Sequence, residues 1–174
     1  VYECLPTDPT DPWRLYDIDA PAWVNDLADL EFGHTYWLKL TADATLYLRG
    51  QPLSMELTAS SRCGGIPPAT YYGVIEPADG FTPTPGMPMQ ALVNGHVCGQ
   101  TTTRLVNGQI GYVVDVLARG SGSDACASWG DTVHFQVGTQ IVATTDQWDN
   151  DRPHALLLGL TITYRVYLPL LQHH

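Results

Sequence analysis

Six histidines, four cysteines and 18 acidic side chains are the groups in this chain that could carry acid–base, metal or nucleophilic chemistry. Their spacing decides whether they do. Two histidines flanking a glutamate on one helix face would build a zinc site, and no such run occurs. Neither a Gly-x-Ser-x-Gly nucleophile elbow nor a phosphate-cradling P-loop is present. The serines of Gly120-Ser121-Gly122-Ser123 read as a flexible loop. His34, His96, His134 and His154 fall on separate strands and turns. His134 alternates with Val133 and Phe135, which turns it away from a core. His173 and His174 close the sequence.

The carboxylates cluster twice. Asp8, Asp11, Asp17 and Asp19 crowd one segment, and oxygen ligands of this kind suit Ca²⁺. Pro9 and Pro12 interrupt the spacing, so solvated turn carboxylates are the simpler expectation. Asp146, Asp149, Asn150 and Asp151 read the same way. Only four glutamates exist, and none is nominated for a glycosidase-type acid pair. No catalytic residue, metal or cofactor is therefore expected.

The aromatics are the better candidates for recognition. Five tryptophans are many for 174 residues. Trp129 sits in a Gly-flanked loop, where an exposed ring would stack on a sugar or dock a partner. Trp37 and Tyr36 are adjacent in a strand, so one faces inward and the other outward. Trp129, Trp37 and Tyr36 are the ligand-stacking candidates.

Composition narrows the class. Lys and Arg total 8 against 18 Asp and Glu, a net charge of −10, and Lys39 is the one lysine. Such a chain repels phosphate backbones and anionic lipid, which disfavours nucleic acid and membrane surfaces. No apolar run reaches the ~18 residues of a spanning helix, so no membrane insertion is expected. Cys4, Cys63, Cys98 and Cys126 contain no Cys-x-x-Cys pair, against a zinc ribbon or a thioredoxin-type motif. Four cysteines allow three connectivities. Cys98–Cys126 and Cys4–Cys63 keep each bridge within one half of the chain, and four reduced core cysteines are the alternative. Few charges with abundant Thr, Gly and Pro point to an extracellular or cell-surface location.

The elements that must position these residues are strands. Apolar residues recur with period two almost throughout. One helix is expected, at 22–30, AWVNDLADL, led by Pro21. HTYWLKL (34–40) and ATLYLR (44–49) read as strands, and 53–57 could extend them. A breaker-rich linker spans 61–68. TYYGVIE (70–76) opens the second half. Asn94-Gly95 and Asn107-Gly108 are strong hairpin signals. ARGSGSDACASWGD (118–131) reads as a flexible loop holding Cys126, and two strands flank Gly138-Thr139. The chain is thus expected to be all-β. A small module spans 1–60 and a larger one 69–171.

Five runs carry a resemblance: PPATYYG (67–73), ALVNGHVCGQTTT (91–103), GQIGYVVDV (108–116), GDTVHFQVG (130–138) after Cys126, and WDNDRPHALLL (148–158). Together they resemble an Ig-like β-sandwich module, similar to the carboxypeptidase-regulatory-like domains of secreted and surface-attached bacterial proteins. Family members often carry Cys-Gly before the Gly-Asp turn, whereas this chain reads Cys126-Ala127-Ser128-Trp129-Gly130. The first half resembles the back part of a small secreted β-module, its opening strand lying before Val1. YRVYLPLL (164–171) is similar to a short C-terminal signature of such surface proteins. These relatives bind, space or attach, so the resemblance implies no catalytic residue.

The last segment alternates. Leu160, Ile162, Tyr164, Val166, Leu168 and Leu170 share one face, and Pro169 suits only an edge strand. Tyr164, Val166, Leu168 and Leu170 are therefore candidates to pair with another subunit. Either the tail packs on its own chain or serves as a processing or anchoring signal, or the tail of one copy completes the N-terminal module of the next, giving head-to-tail self-association. A structural or adhesive surface filament subunit is the function expected. The alternatives are a cell-surface partner, or a carbohydrate- or substrate-binding accessory module released from a larger secreted hydrolase or protease.

Overall fold

The computed structural model describes residues 1–5, 12–31, 34–43, 65–121 and 123–159. Among them the chain is all-β, with eleven strands and no helix. Three short strands form the N-terminal sheet: β1 (Tyr2–Cys4), β2 (Trp13–Leu15) and β3 (Thr35–Trp37). β1 lies between β2 and β3, antiparallel to both.

Two four-stranded sheets follow. One has the order β10-β9-β5-β6, built from β5 (Pro88–Val93), β6 (His96–Thr102), β9 (Thr132–Val137) and β10 (Gln140–Gln147). The other has the order β11-β4-β8-β7, built from β4 (Ala69–Val74), β7 (Arg104–Val106), β8 (Gln109–Val116) and β11 (His154–Ala155). Asn94 and Gly95 have φ of 51° and 81°, and Asn107 and Gly108 have 49° and 80°. Two successive positive φ values make the hairpin turn whose twist matches its strands, which is why Asn-Gly stands at both places.

The sheets share one core. Met89, Ala91 and Val93 alternate inward on β5, as do Val133, Phe135 and Val137 on β9. Tyr71 on β4 and Tyr112, Val114 and Val116 on β8 join them from the other sheet. Phe135 meets the Tyr71 ring edge-on at 5.4 Å. Burial of each such side chain stabilises the fold by ~1.5–3 kcal/mol.

The β4–β8 sheet is covered on its other face too. Tyr72 and Val113, one residue out of phase with the core set, pack against a second cluster of Tyr2, Cys4, Trp13, Leu15 and Val24. The N-terminal sheet is therefore held against the larger unit. Tyr2 Oη lies 3.1 Å from Thr70 Oγ1, which donates to Asp115 at 2.5 Å. Arg104 donates to the Trp23 carbonyl at 2.6 Å and lies over its ring. Lys39 pairs with Asp151 at 2.6 Å.

The helix expected at 22–30 does not form. Val24 N–H bonds to the Pro21 carbonyl in a single turn, and the chain then runs on without a regular element. Its backbone groups are engaged elsewhere. Asp26 and Leu27 both donate to the Leu15 carbonyl at 3.0 Å. Asn25 and Asp26 side chains accept from the backbone of Asp17 and Leu15 at 2.8 and 2.7 Å. Short polar side chains that bond distant backbone compete with helix. The strand expected at 34–40 is shorter, with only Thr35–Trp37 paired. The strands expected at 44–49 and 53–57, and the first half of the 61–68 linker, lie outside the described residues.

Candidate functional site

At one end of the two large sheets, three separate segments meet: 65–68, the described residues of the long loop (117–121 and 123–131), and 148–150. Described residues of this loop, rich in Gly and Ser, make specific backbone bonds. Ala118 bridges to Ala127 and Arg119 to Ser123. Arg119 N donates to Ala127 O at 2.7 Å, and Ala127 N to Leu117 O at 3.2 Å. Cys98 on β6 and Cys126 in the loop are joined, with Cα atoms 5.4 Å apart and both side chains in the core. Leu117 N also donates to Cys98 O. The loop is thus tied to β6 by one covalent and one hydrogen bond.

Trp148 is the floor of this end. It is buried in the core and its indole N–H donates to Val116 O at 2.8 Å. Its backbone exchanges bonds with the turn before β9: Gly130 N donates to Trp148 O, and Trp148 N to Asp131 O. Asp131 Oδ2 in turn accepts from Ser128 N at 2.8 Å. Trp129 sits at the tip of that braced turn, between Ser128 and Gly130. Its side chain is 64% exposed. The backbone is held while the ring stands in solvent.

Beside Trp129 is a groove of about 220 Å³, whose walls include Ile66, Arg119, Trp129, Trp148 and Asn150. Arg119 is the one charged residue among the described lining residues. Asn150 Nδ2 donates to Pro67 O, and Ser121 Oγ to Ile66 O, which hold the 65–68 segment in place. A braced aromatic ring, a guanidinium and an amide around a small cleft can stack on a flat apolar face and donate hydrogen bonds beside it.

Two histidine clusters lie elsewhere. His154 on β11 has Nδ1 at 2.8 Å from Asp146 Oδ2, and Nε2 at 3.1 and 3.2 Å from the carbonyl and Oδ1 of Asp149. Its ring packs on Tyr71 at 4.7 Å. This arrangement clamps β11 to the end of β10. His34 Nδ1 lies 2.5 Å from the buried Glu3, and its Nε2 3.8 Å from Glu31. No group of three or more metal-capable side chains gathers among the described residues. A second groove, about 350 Å³, runs beside Glu76, Pro77, Pro83 and Leu157.

The structure brings the nominated aromatics to different places. Trp129 is in the cleft described above. Trp37 is on β3, its ring 5.0 Å from Trp13 and packed on the second cluster. The neighbouring Tyr36 hydroxyl donates to the Glu31 carbonyl at 3.2 Å and accepts from Glu31 N at 2.6 Å. Both rings are half-buried. Cys4 is disulfide-bonded. Cys63, Tyr164, Val166, Leu168 and Leu170 lie outside the described residues, as do Asp8 and Asp11. Ile66, Arg119 and Asn150 carry no local signal. They come from three parts of the chain, and only the fold makes them neighbours.

The chain matches no protein-family model, no curated protein and no solved structure.

Proposed function

We propose that the chain is a non-enzymatic, extracellular β-module of the Ig-like sandwich kind, and that it works by contact, as a structural or adhesive element of a cell surface. The observation that carries this reading is Trp129, 64% exposed on a turn whose backbone is braced by Trp148 and Asp131 and whose loop is tied to β6 by Cys98–Cys126. Holding a large apolar ring in water costs free energy unless something covers it. A rigid mount lowers the entropy lost when that happens. The disulfide supports an oxidising location.

The same cleft supports a second reading, a carbohydrate- or substrate-binding accessory module of a larger secreted hydrolase or protease. The alternating pattern of 160–170 supports a third element of the proposal, head-to-tail assembly through strand exchange. One set of measurements sorts these readings. Glycan-array binding that disappears in Trp129→Ala identifies a binding module. Polymers that grow with concentration, and that vanish when 166–174 are deleted, identify a filament subunit. A wild-type chain that stays monomeric by light scattering and binds no glycan or cell surface overturns the contact function.

A further inference from the structure

The Trp129 cleft has a polarity that its aromatic ring alone does not explain. Its described lining holds one charge, the guanidinium of Arg119, and no carboxylate. This is unusual ground on a chain of net charge −10 with only eight cationic side chains. Arg104 lies over Trp23, Arg14 is 3.7 Å from Asp26, and Lys39 is paired with Asp151. The Arg119 side chain, like that of Arg152, is exposed and makes no ion pair among the described residues, and of the two only Arg119 lines the cleft. Its own backbone N–H is bonded to Ala127, which fixes the root of the side chain at the cleft.

We infer that this cleft binds an acidic saccharide, with one sugar ring stacked on Trp129 and its carboxylate held by Arg119. The inference rests on the contact function proposed above and names the ligand class for that site. A pyranose has one face lined by C–H groups, and an indole matches it in shape and polarity. A guanidinium presents two parallel N–H donors to a carboxylate, the geometry that favours Arg over Lys for this purpose. The cleft, at about 220 Å³, is below the ~300 Å³ at which pockets for drug-sized ligands begin, and so suits a single ring. Asn150 Nδ2 is committed to Pro67 O, which leaves its Oδ1 to accept from a sugar hydroxyl.

The test uses two matched pairs of probes on the full chain. One pair is a galacturonate tetrasaccharide and its methyl ester; the other is sialyllactose and lactose. Each pair keeps the ring and changes the charge. Calorimetry is expected to show the acidic member of one pair bound roughly tenfold or more tighter than its neutral partner, since charge-assisted hydrogen bonds are worth that factor. Added salt should shrink the difference. Arg119→Gln should erase the preference for the acid and leave weak binding to both members, while Trp129→Ala should abolish both. These two side chains are exposed, so an unchanged thermal midpoint checks that the variants fold. Equal binding of acid and neutral probes, insensitive to Arg119→Gln, overturns the acidic-saccharide assignment and leaves the contact function standing. Binding of neither pair overturns it too, and the glycan and cell-surface results for the wild-type chain then decide the contact function separately.

Discussion

The bond between Cys98 and Cys126 does two jobs at the level of single residues. It closes a loop of 28 positions, and it fixes the strand-like segment around Ala118 and Ala127 against β6. Without it, the unfolded chain regains the freedom of that loop, worth ~3–4 kcal/mol. Replacing both residues by Ser should lower the unfolding free energy by about that amount, read from denaturant midpoints at constant slope. It should also raise proteolytic nicking at 120–125, where Ser123 and Asp124 are exposed. If stability is unchanged, the hydrogen bonds from Arg119 and Ala127 hold the loop by themselves. Placing a cysteine beside a hairpin turn and another in a long loop was readable from spacing. The bracing of Trp129 was not, because Trp148 and Asp131 reach it through backbone bonds that leave no residue pattern.

At the scale of elements, the β4–β11 pairing is the least expected feature. β11 runs parallel to β4, with His154 opposite Tyr71 and Ala155 opposite Tyr72. The pairing continues past β11, as Leu156 N donates to Tyr72 O and Leu158 N to Val74 O. Gly73 makes this possible. A Cβ at that position would run into the Leu156 carbonyl oxygen, which is backbone and cannot swing aside. Gly73→Ala should therefore cost roughly 1–3 kcal/mol and detach the 154–158 segment, seen as faster amide exchange at Leu156 and Leu158. Unchanged protection at those amides would show that the segment is held by His154 and not by the ladder. Parallel neighbours give no turn signature, so a reading of local pattern misses this pairing.

Across the whole molecule, tyrosines join the layers. Tyr71 and Tyr112 lie in the shared core, and Tyr2 reaches from the N-terminal sheet to Thr70. Burial raises all three phenols well above the usual tyrosine value. Asp115 adds to the effect at Tyr2, Asp146 and Asp149 at Tyr71, and Asp146 at Tyr112. An unfolded chain releases these protons near pH ~10, while the folded chain retains them. The unfolded state then binds fewer protons, so stability falls as pH rises beyond about 10. Phenolate absorbance from these residues should appear only with a cooperative alkaline unfolding step. A gradual titration of all nine tyrosines while the fold persists would contradict their burial.

The sequence alone determined the class of structure and the places where the chain reverses. Period-two alternation on β5 and β9 and the Asn-Gly pairs act over a few residues, and physics at that range is the same in every context. It also marked Trp129 as a ring in a Gly-flanked loop. What covers a strand's second face is a different matter. Tyr71 and Tyr72 are the same residue type, yet one belongs to the core and the other receives Trp23 at 5.8 Å. The helix signal at 22–30 lost to bonds with Leu15 and Asp17, which are distant in sequence. The cleft joins Ile66, Arg119 and Asn150 for the same reason. Only the tertiary structure decides these, because the partners that set each side chain's environment are chosen by packing across the chain and not by its neighbours along it.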